Sequence, residues 1–135
     1  GVHAVVVLGE KSGTHDPAWG AANLEFPEEQ LALIRALDKA GANVIAVVVM
    51  NRAYVLTPIV QAADSVLLVY RPGITSGAEA LANTLFGENA IAGRLPFQIP
   101  LSMDQVLKQR EDLPMDIESP LFEYGFGIDA ESFGR

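Results

Sequence analysis

The stretch LANTLFGENAIAGRLPFQIP, Leu81 to Pro100, decides the fold. Ala80, Leu81, Leu85 and Phe86 recur at helical spacing and Gly87 follows as a stop. Gly93-Arg94-Leu95-Pro96 then leads into the apolar run Phe97 to Ile99. Together they make the end of an amphipathic helix, a glycine-rich turn carrying Arg94 as a candidate buried arginine, and a short strand. A helix-to-strand corner of this kind belongs to an α/β domain.

Working back from the corner, Ser65 to Tyr70 is a buried strand closed by Arg71-Pro72-Gly73, and Thr75 or Ser76 is placed to cap the helix Gly77 to Phe86. Pro58 to Ala63 reads as a short helix, and Asn43 to Met50 is apolar on both faces, as a central parallel strand should be. Pro27 stands at a first helical position with Glu28 and Glu29 at the positive end of the helix dipole; Leu31, Ile34, Leu37 and Ala40 line one face as far as Gly41. Ala4 to Leu8 is a β-branched strand ending in Gly9-Glu10. Between Lys11 and Phe26 the chain is small and polar without sustained periodicity, a loop of about 16 residues, of a length that is usually functional or disordered. After the fourth strand, Leu95 to Ile99, comes a weaker helix from Met103 to Arg110 and a tail with Pro114, Pro120 and several glycines.

The alternation β-α-β-α-β-α-β with short connections predicts right-handed crossovers and a mostly parallel sheet flanked by helices, a flavodoxin-like α/β sandwich. Residues 1–112 are expected to form it and residues 113–135 to be a C-terminal tail packing on it or extending from it. Ligands of such sheets lie outside the carboxyl ends of the strands. That rule selects Gly9-Glu10 with the long loop, Asn51-Arg52, and Arg71-Pro72-Gly73.

Composition narrows the function. The 135 residues are 50% hydrophobic and carry a net charge of −8, with a mean hydropathy of +0.24. One good core is within reach of a chain this long. Nine Lys and Arg, scattered, argue against binding nucleic acid or an anionic membrane. The longest apolar run, Val44 to Met50, is far too short to span a bilayer. With no cysteine there is neither a disulfide framework nor thiolate chemistry. Neither GxGxxG nor GxxxxGK occurs, no acidic or His pair has metal-ligand spacing with partners, and no serine sits in GxSxG. No cofactor, no metal and no serine nucleophile are therefore expected.

The corner string, preceded by VLLVYRPGITSGAEA and by VVVLGE and followed by LFEYGFGI, resembles the C-terminal α/β sandwich domain of family 3 glycoside hydrolases, the β-glucosidase and exo-glucanase type. The resemblance runs from the GE after the first strand to the YGFGI close. It implies an active site between an N-terminal (β/α)8 barrel, which brings a nucleophilic Asp, and this sandwich, which often brings an acid/base Glu on the loop after the GE. The implied chemistry is retaining hydrolysis of a β-linked glucoside or oligosaccharide, which needs two carboxyl groups about 5 Å apart. The barrel is not in this chain, nor is the half of the family's sandwich that lies upstream of the GE strand. The resemblance thus implies an incomplete domain of a longer polypeptide, inactive alone, that works against the barrel of the same polypeptide.

The loop after Glu10 departs from the family. It reads GEKSGTHDPAWGAANLEF, with no Glu between Glu10 and Glu25. Asp16 is a candidate acid with His15 tuning it, since neighbouring His and Asp are competent for proton transfer; against this stands a solvated loop in which Asp16-Pro17 starts a turn. Glu10 either shapes the loop or lines the pocket. Trp19 either stacks on a sugar ring at the cleft mouth or pins its loop to the fold. Arg71 is a candidate substrate-binding residue, whereas Arg94 is expected to hold the corner through carbonyl or carboxylate hydrogen bonds. Two function classes follow: a sandwich piece of a β-glycosidase, or a non-catalytic flavodoxin-like module binding carbohydrate or protein. With the upstream strands of the sandwich absent, a Val- and Ile-rich sheet edge is left unpaired and invites association, so the isolated chain is expected to form a homodimer or pair its edge with a neighbour.

Overall fold

A computed structural model describes residues 1–10, 23–73, 75–110 and 112–128 of the chain. Three strands, β1 (His3–Gly9), β2 (Asn43–Val49) and β3 (Ser65–Val69), form one parallel sheet in the order β1-β2-β3. The strand expected to be central is central. β2 is buried through Val44, Ala46, Val47 and Val48, because it is the one strand with a neighbour on each side. α1 (Glu28–Lys39) connects β1 to β2, and α2 (Thr57–Ala62) connects β2 to β3. The two helices pack on each other, α1 against β1 and β2, and α2 against β3. They therefore share one face of the sheet, the outcome of two successive crossovers of the same hand.

That face holds the core. Val6, Leu8, Val44, Ala46 and Val48 of the sheet meet Leu31 and Ile34 of α1 and Ile59 of α2. Leu37 packs at the margin, while Ala40 is exposed because the helix ends there, with Gly41 at φ 79° behind it. Pro27 is at the N-cap rather than in the first turn, with ψ 137°. The side chain of Gln30 reaches from α1 to the end of β1. It accepts from the Gly9 N–H at 3.0 Å and donates to the Gly9 carbonyl at 2.9 Å. The opposite face carries Val5, Ile45, Val47, Leu67 and their neighbours in register. Val47 is fully buried there, but Val5 and Val7 on the edge strand are 50% and 64% exposed.

α3 (Gly77–Leu85) and α4 (Met103–Lys108) follow. Ser76 occupies the N-cap of α3 in an αR conformation and makes no side-chain cap bond, so its hydroxyl does not play the expected role. Gly87 does stop the helix, at φ 78° and with its N–H on the Thr84 carbonyl. Leu81 and Leu85 are partly buried, whereas Phe86 stands 85% exposed and is no part of the core.

The fourth strand is not found where the sequence placed it. Leu95 to Ile99 joins none of the three strands and pairs instead with the tail: Leu95 N–H donates to Phe126 O at 2.9 Å, and Gly125 N–H to Leu95 O at 2.9 Å. Ile99 forms an isolated antiparallel bridge with Phe122. Proline explains the difference. Pro96 and Pro100 have no N–H to give a ladder, and such residues sit at sheet edges or outside sheets. Buried Leu95 and Ile99 still join the core, so the segment's apolar character was real and only its pairing differs. The tail is held by the buried Gln98, whose amide both donates to and accepts from the backbone of Ile117, each at 3.1 Å. Phe122 and Phe126 stack at 4.7 Å.

Candidate functional site

Parallel register gathers the strand ends. Gly9 lies opposite Val49, and Val49 opposite Val69, so the residues that follow them, Glu10, Met50 and Tyr70, stand level. Backbone bonds continue that order past the strands, from Glu10 N–H to Val49 O at 3.2 Å and from Met50 N–H to Val69 O at 3.1 Å. The side chains of Glu10, Asn51, Arg52 and Arg71 converge there.

Glu10 is the hub. Its side chain is only 7% exposed. Oε1 accepts from Asn51 Nδ2 at 2.7 Å and lies 3.7 Å from Arg71 Nη2. Oε2 lies 3.8 Å from Arg52 Nε. Burying a carboxylate is expensive unless it is paired and hydrogen-bonded, and here two guanidinium groups and an amide share the task. Arg52 is held from its other side: Nη2 donates to the Tyr54 hydroxyl at 2.7 Å, and the guanidinium carbon is 5.3 Å from the Tyr54 ring centroid. Burial pushes the Tyr54 phenol above its ordinary pKa, Arg52 opposes that by hydrogen bond and charge, and Glu10 adds to the rise. Among the described residues the network is incompletely closed, since Glu10 Oε2 and Arg52 Nε are both buried and neither has a hydrogen-bond partner there.

Arg71 takes a left-handed backbone conformation, φ 43°, ahead of Pro72 and Gly73. A non-glycine residue in that region bears strain of order 1 kcal/mol, and such strain gathers at functional sites. Beside it, Tyr70 meets Phe97 edge-on at 5.9 Å, and burial raises the Tyr70 phenol as well. A cleft of about 420 Å³ is lined by Leu24, Ala53, Phe97, Gln98, Met115 and Tyr124 and by no side chain of the Glu10 cluster.

Of the residues singled out in the sequence, Glu10 and Arg71 are brought together. His15, Asp16 and Trp19 lie outside the described residues. Arg94 is exposed, not buried. Its Nη1 donates to the carbonyl of the adjacent Gly93 at 3.1 Å, a local bond that does not span the corner. Asn51 and Arg52 were selected as strand-end positions, yet their partner was not foreseen, and Tyr54 was not singled out at all. Its signal was the short spacing Arg52-Ala53-Tyr54 after the apolar strand, which lets a guanidinium fold back onto a nearby ring. Among the described residues no three His, Asp or Glu side chains are grouped to hold a metal ion, and no helix is long and apolar enough to cross a membrane.

This fold and this strand-end cluster can be set against known proteins. Residues 3–130 match the family described as glycosyl hydrolase family 3 C-terminal domain. The chain belongs to that family. Beta-glucosidase C of Emericella nidulans is 35% identical over 90% of this chain and 19% of its own length. A periplasmic beta-glucosidase of Salmonella typhimurium is 29% identical over 96% of the chain and 19% of its own length. The chain thus spans about a fifth of the length of these relatives. A crystal structure of a beta-glucosidase from Listeria innocua superposes with a TM-score of 0.79, at 21% identity, over 95% of this chain and 20% of that one. At that identity the likeness concerns the fold, which is the α/β sandwich expected from the sequence.

Proposed function

We propose that this glycosyl hydrolase family 3 domain is part of a longer β-glycosidase and forms one wall of the cleft in which a β-linked glucoside or oligosaccharide is hydrolysed with retention. The observation that carries the reading is the convergence of Glu10, Asn51, Arg52 and Arg71 at the carboxyl ends of three parallel strands, where ligands of such sheets bind, in a chain of this family. Residues 1–112 serve as the sandwich and residues 113–135 as a C-terminal tail packing on it or extending from it. Glu10 and Arg71 line the substrate side, with Trp19 stacking on a sugar ring. Asp16, assisted by His15, donates the proton to the departing oxygen and later takes one from water. A barrel domain of the same polypeptide supplies the nucleophile, so the chain alone does not turn over.

The test is release of nitrophenol from nitrophenyl β-glucoside by the full-length polypeptide. Asp16→Asn and Glu10→Gln are each expected to lower kcat/KM at least about tenfold. An active parent in which neither change matters would overturn both assignments. Activity in the isolated 135-residue chain would overturn the need for a second domain.

The edge of β1 supports one further element of this reading. Val5 and Val7 are exposed on a strand paired on one side by β2, and unpaired strand edges recruit other strands. The isolated chain is expected to dimerise through β1. Light scattering that finds only monomer at high concentration would rule this out.

A further inference from the structure

We propose that Asn51, Arg52 and Tyr54 are positioning residues, acting through Glu10, and that the segment Asn51 to Val55 is a clasp joining both flanks of the 11–22 stretch. This inference rests on the cleft reading above and adds residues to it. Three observations carry it.

First, every side-chain contact described for Glu10 comes from another strand end. Asn51 and Arg52 follow β2 and Arg71 follows β3, so among the described residues the carboxylate is directed by the neighbouring strand ends. Second, the same five residues hold the other flank. Val55 N–H donates to Leu24 O at 2.9 Å, and Glu25 and Val55 form a parallel bridge. One short segment therefore grips residue 10 at its start and residues 24 and 25 at its end. Third, the clasp is anchored in the core. Tyr54 is 6% exposed, and its ring lies 5.0 Å from that of Phe26 at an interplanar angle of 54°. Its hydroxyl and its face both engage Arg52, which fixes the plane of a guanidinium whose other edge faces Glu10. The guanidinium gives its hydrogen bond to Tyr54 and meets Glu10 Oε2 at 3.8 Å as a fixed charge, which a rotating ammonium would place less closely.

The experiment uses the full-length polypeptide and nitrophenyl β-glucoside. Arg52→Gln is expected to raise KM at least fivefold with kcat changed less than twofold, because the wall is misplaced while the chemistry is intact. In a Glu10→Gln background the same change should add less than twofold, since its effect passes through that carboxylate. Arg52→Lys keeps the charge but not the fork, and should recover less than half of the lost affinity. Tyr54→Phe keeps the buried ring, removes the hydroxyl, and should raise KM two- to threefold; it decides the matter should Arg52→Gln fail to fold. Arg35→Gln, on an exposed ion pair of α1, should change nothing.

A folded Arg52→Gln variant with KM within twofold of the parent overturns the proposal, and so does an undiminished effect in the Glu10→Gln background. If Glu10→Gln impairs the enzyme and Arg52→Gln does not, the clasp fails while the cleft reading stands. If Glu10→Gln itself is silent, Glu10 has no part in the cleft and the clasp falls with it.

Discussion

Gly77→Ala is expected to destabilise the domain by about 3 kcal/mol, the cost of overpacking a site that cannot yield. A Cβ at this position would fall 2.2 Å from the Pro72 carbonyl oxygen, 2.6 Å from its carbon and 2.7 Å from the Pro72 Cβ. Two of those atoms are backbone. The turn has little room to retreat, because Pro72 is a closed ring and its neighbours Arg71 and Gly73 already sit at φ 43° and 85°. Alanine is the better helix former by about 1 kcal/mol, so a pure propensity argument gives the opposite sign. Urea unfolding of the two chains separates these accounts. A midpoint that stays or rises would show that α3 can lift off the turn at no cost. A fall should be accompanied by a weakened Glu10 cluster, since Arg71 shares the displaced turn.

Ile99→Ala is expected to cost about 3–4 kcal/mol, within the range for large-to-small changes at fully buried sites. The side chain is completely buried and belongs to the core cluster. Alanine keeps the backbone bonds, Ile99 N–H to Phe122 O at 2.9 Å and Leu121 N–H to Ile99 O at 2.8 Å, so the loss reports the cavity rather than the pairing. Thermal or urea unfolding measures it. A loss below about 1 kcal/mol would mean that the core closes over the gap, and that the segment contributes less than its burial indicates.

These two sites mark the limits of what the sequence discloses. The central strand, the long helix and the parallel order follow from local pattern: Asn43 to Met50 is apolar without alternation, and Leu31, Ile34 and Leu37 share a helical face. The same logic made Leu95 to Ile99 a strand, because a short apolar run looks alike whether it joins a sheet or plugs a core. Its partner, the tail around Phe122, is some twenty residues away, and periodicity contains no information on that pairing. The candidate site was half legible. Strand-end geometry selected Glu10, Asn51, Arg52 and Arg71, but the contact between Glu10 and Asn51 spans 41 positions and depends on Gly9 lying opposite Val49. A one-residue slip would turn those side chains to opposite faces. Phe86 has the right spacing for the core and misses it, because it is the last residue before the chain turns away at Gly87.

The amide of Gln30 has a consequence for how the sheet can grow. In a parallel ladder, alternate residues of an edge strand point their N–H and C=O groups away from the neighbour. On β1 the even-numbered residues face β2, as Asn43 N–H on Val2 O and Glu10 N–H on Val49 O show, so His3, Val5, Val7 and Gly9 face outward. Gln30 already occupies both outward groups of Gly9, doing with one side chain what an added strand would do with its backbone. An incoming strand therefore finds three residues to pair with and then a stopper. The edge is a socket of fixed depth, which sets the register of whatever enters it before any side chain is compared.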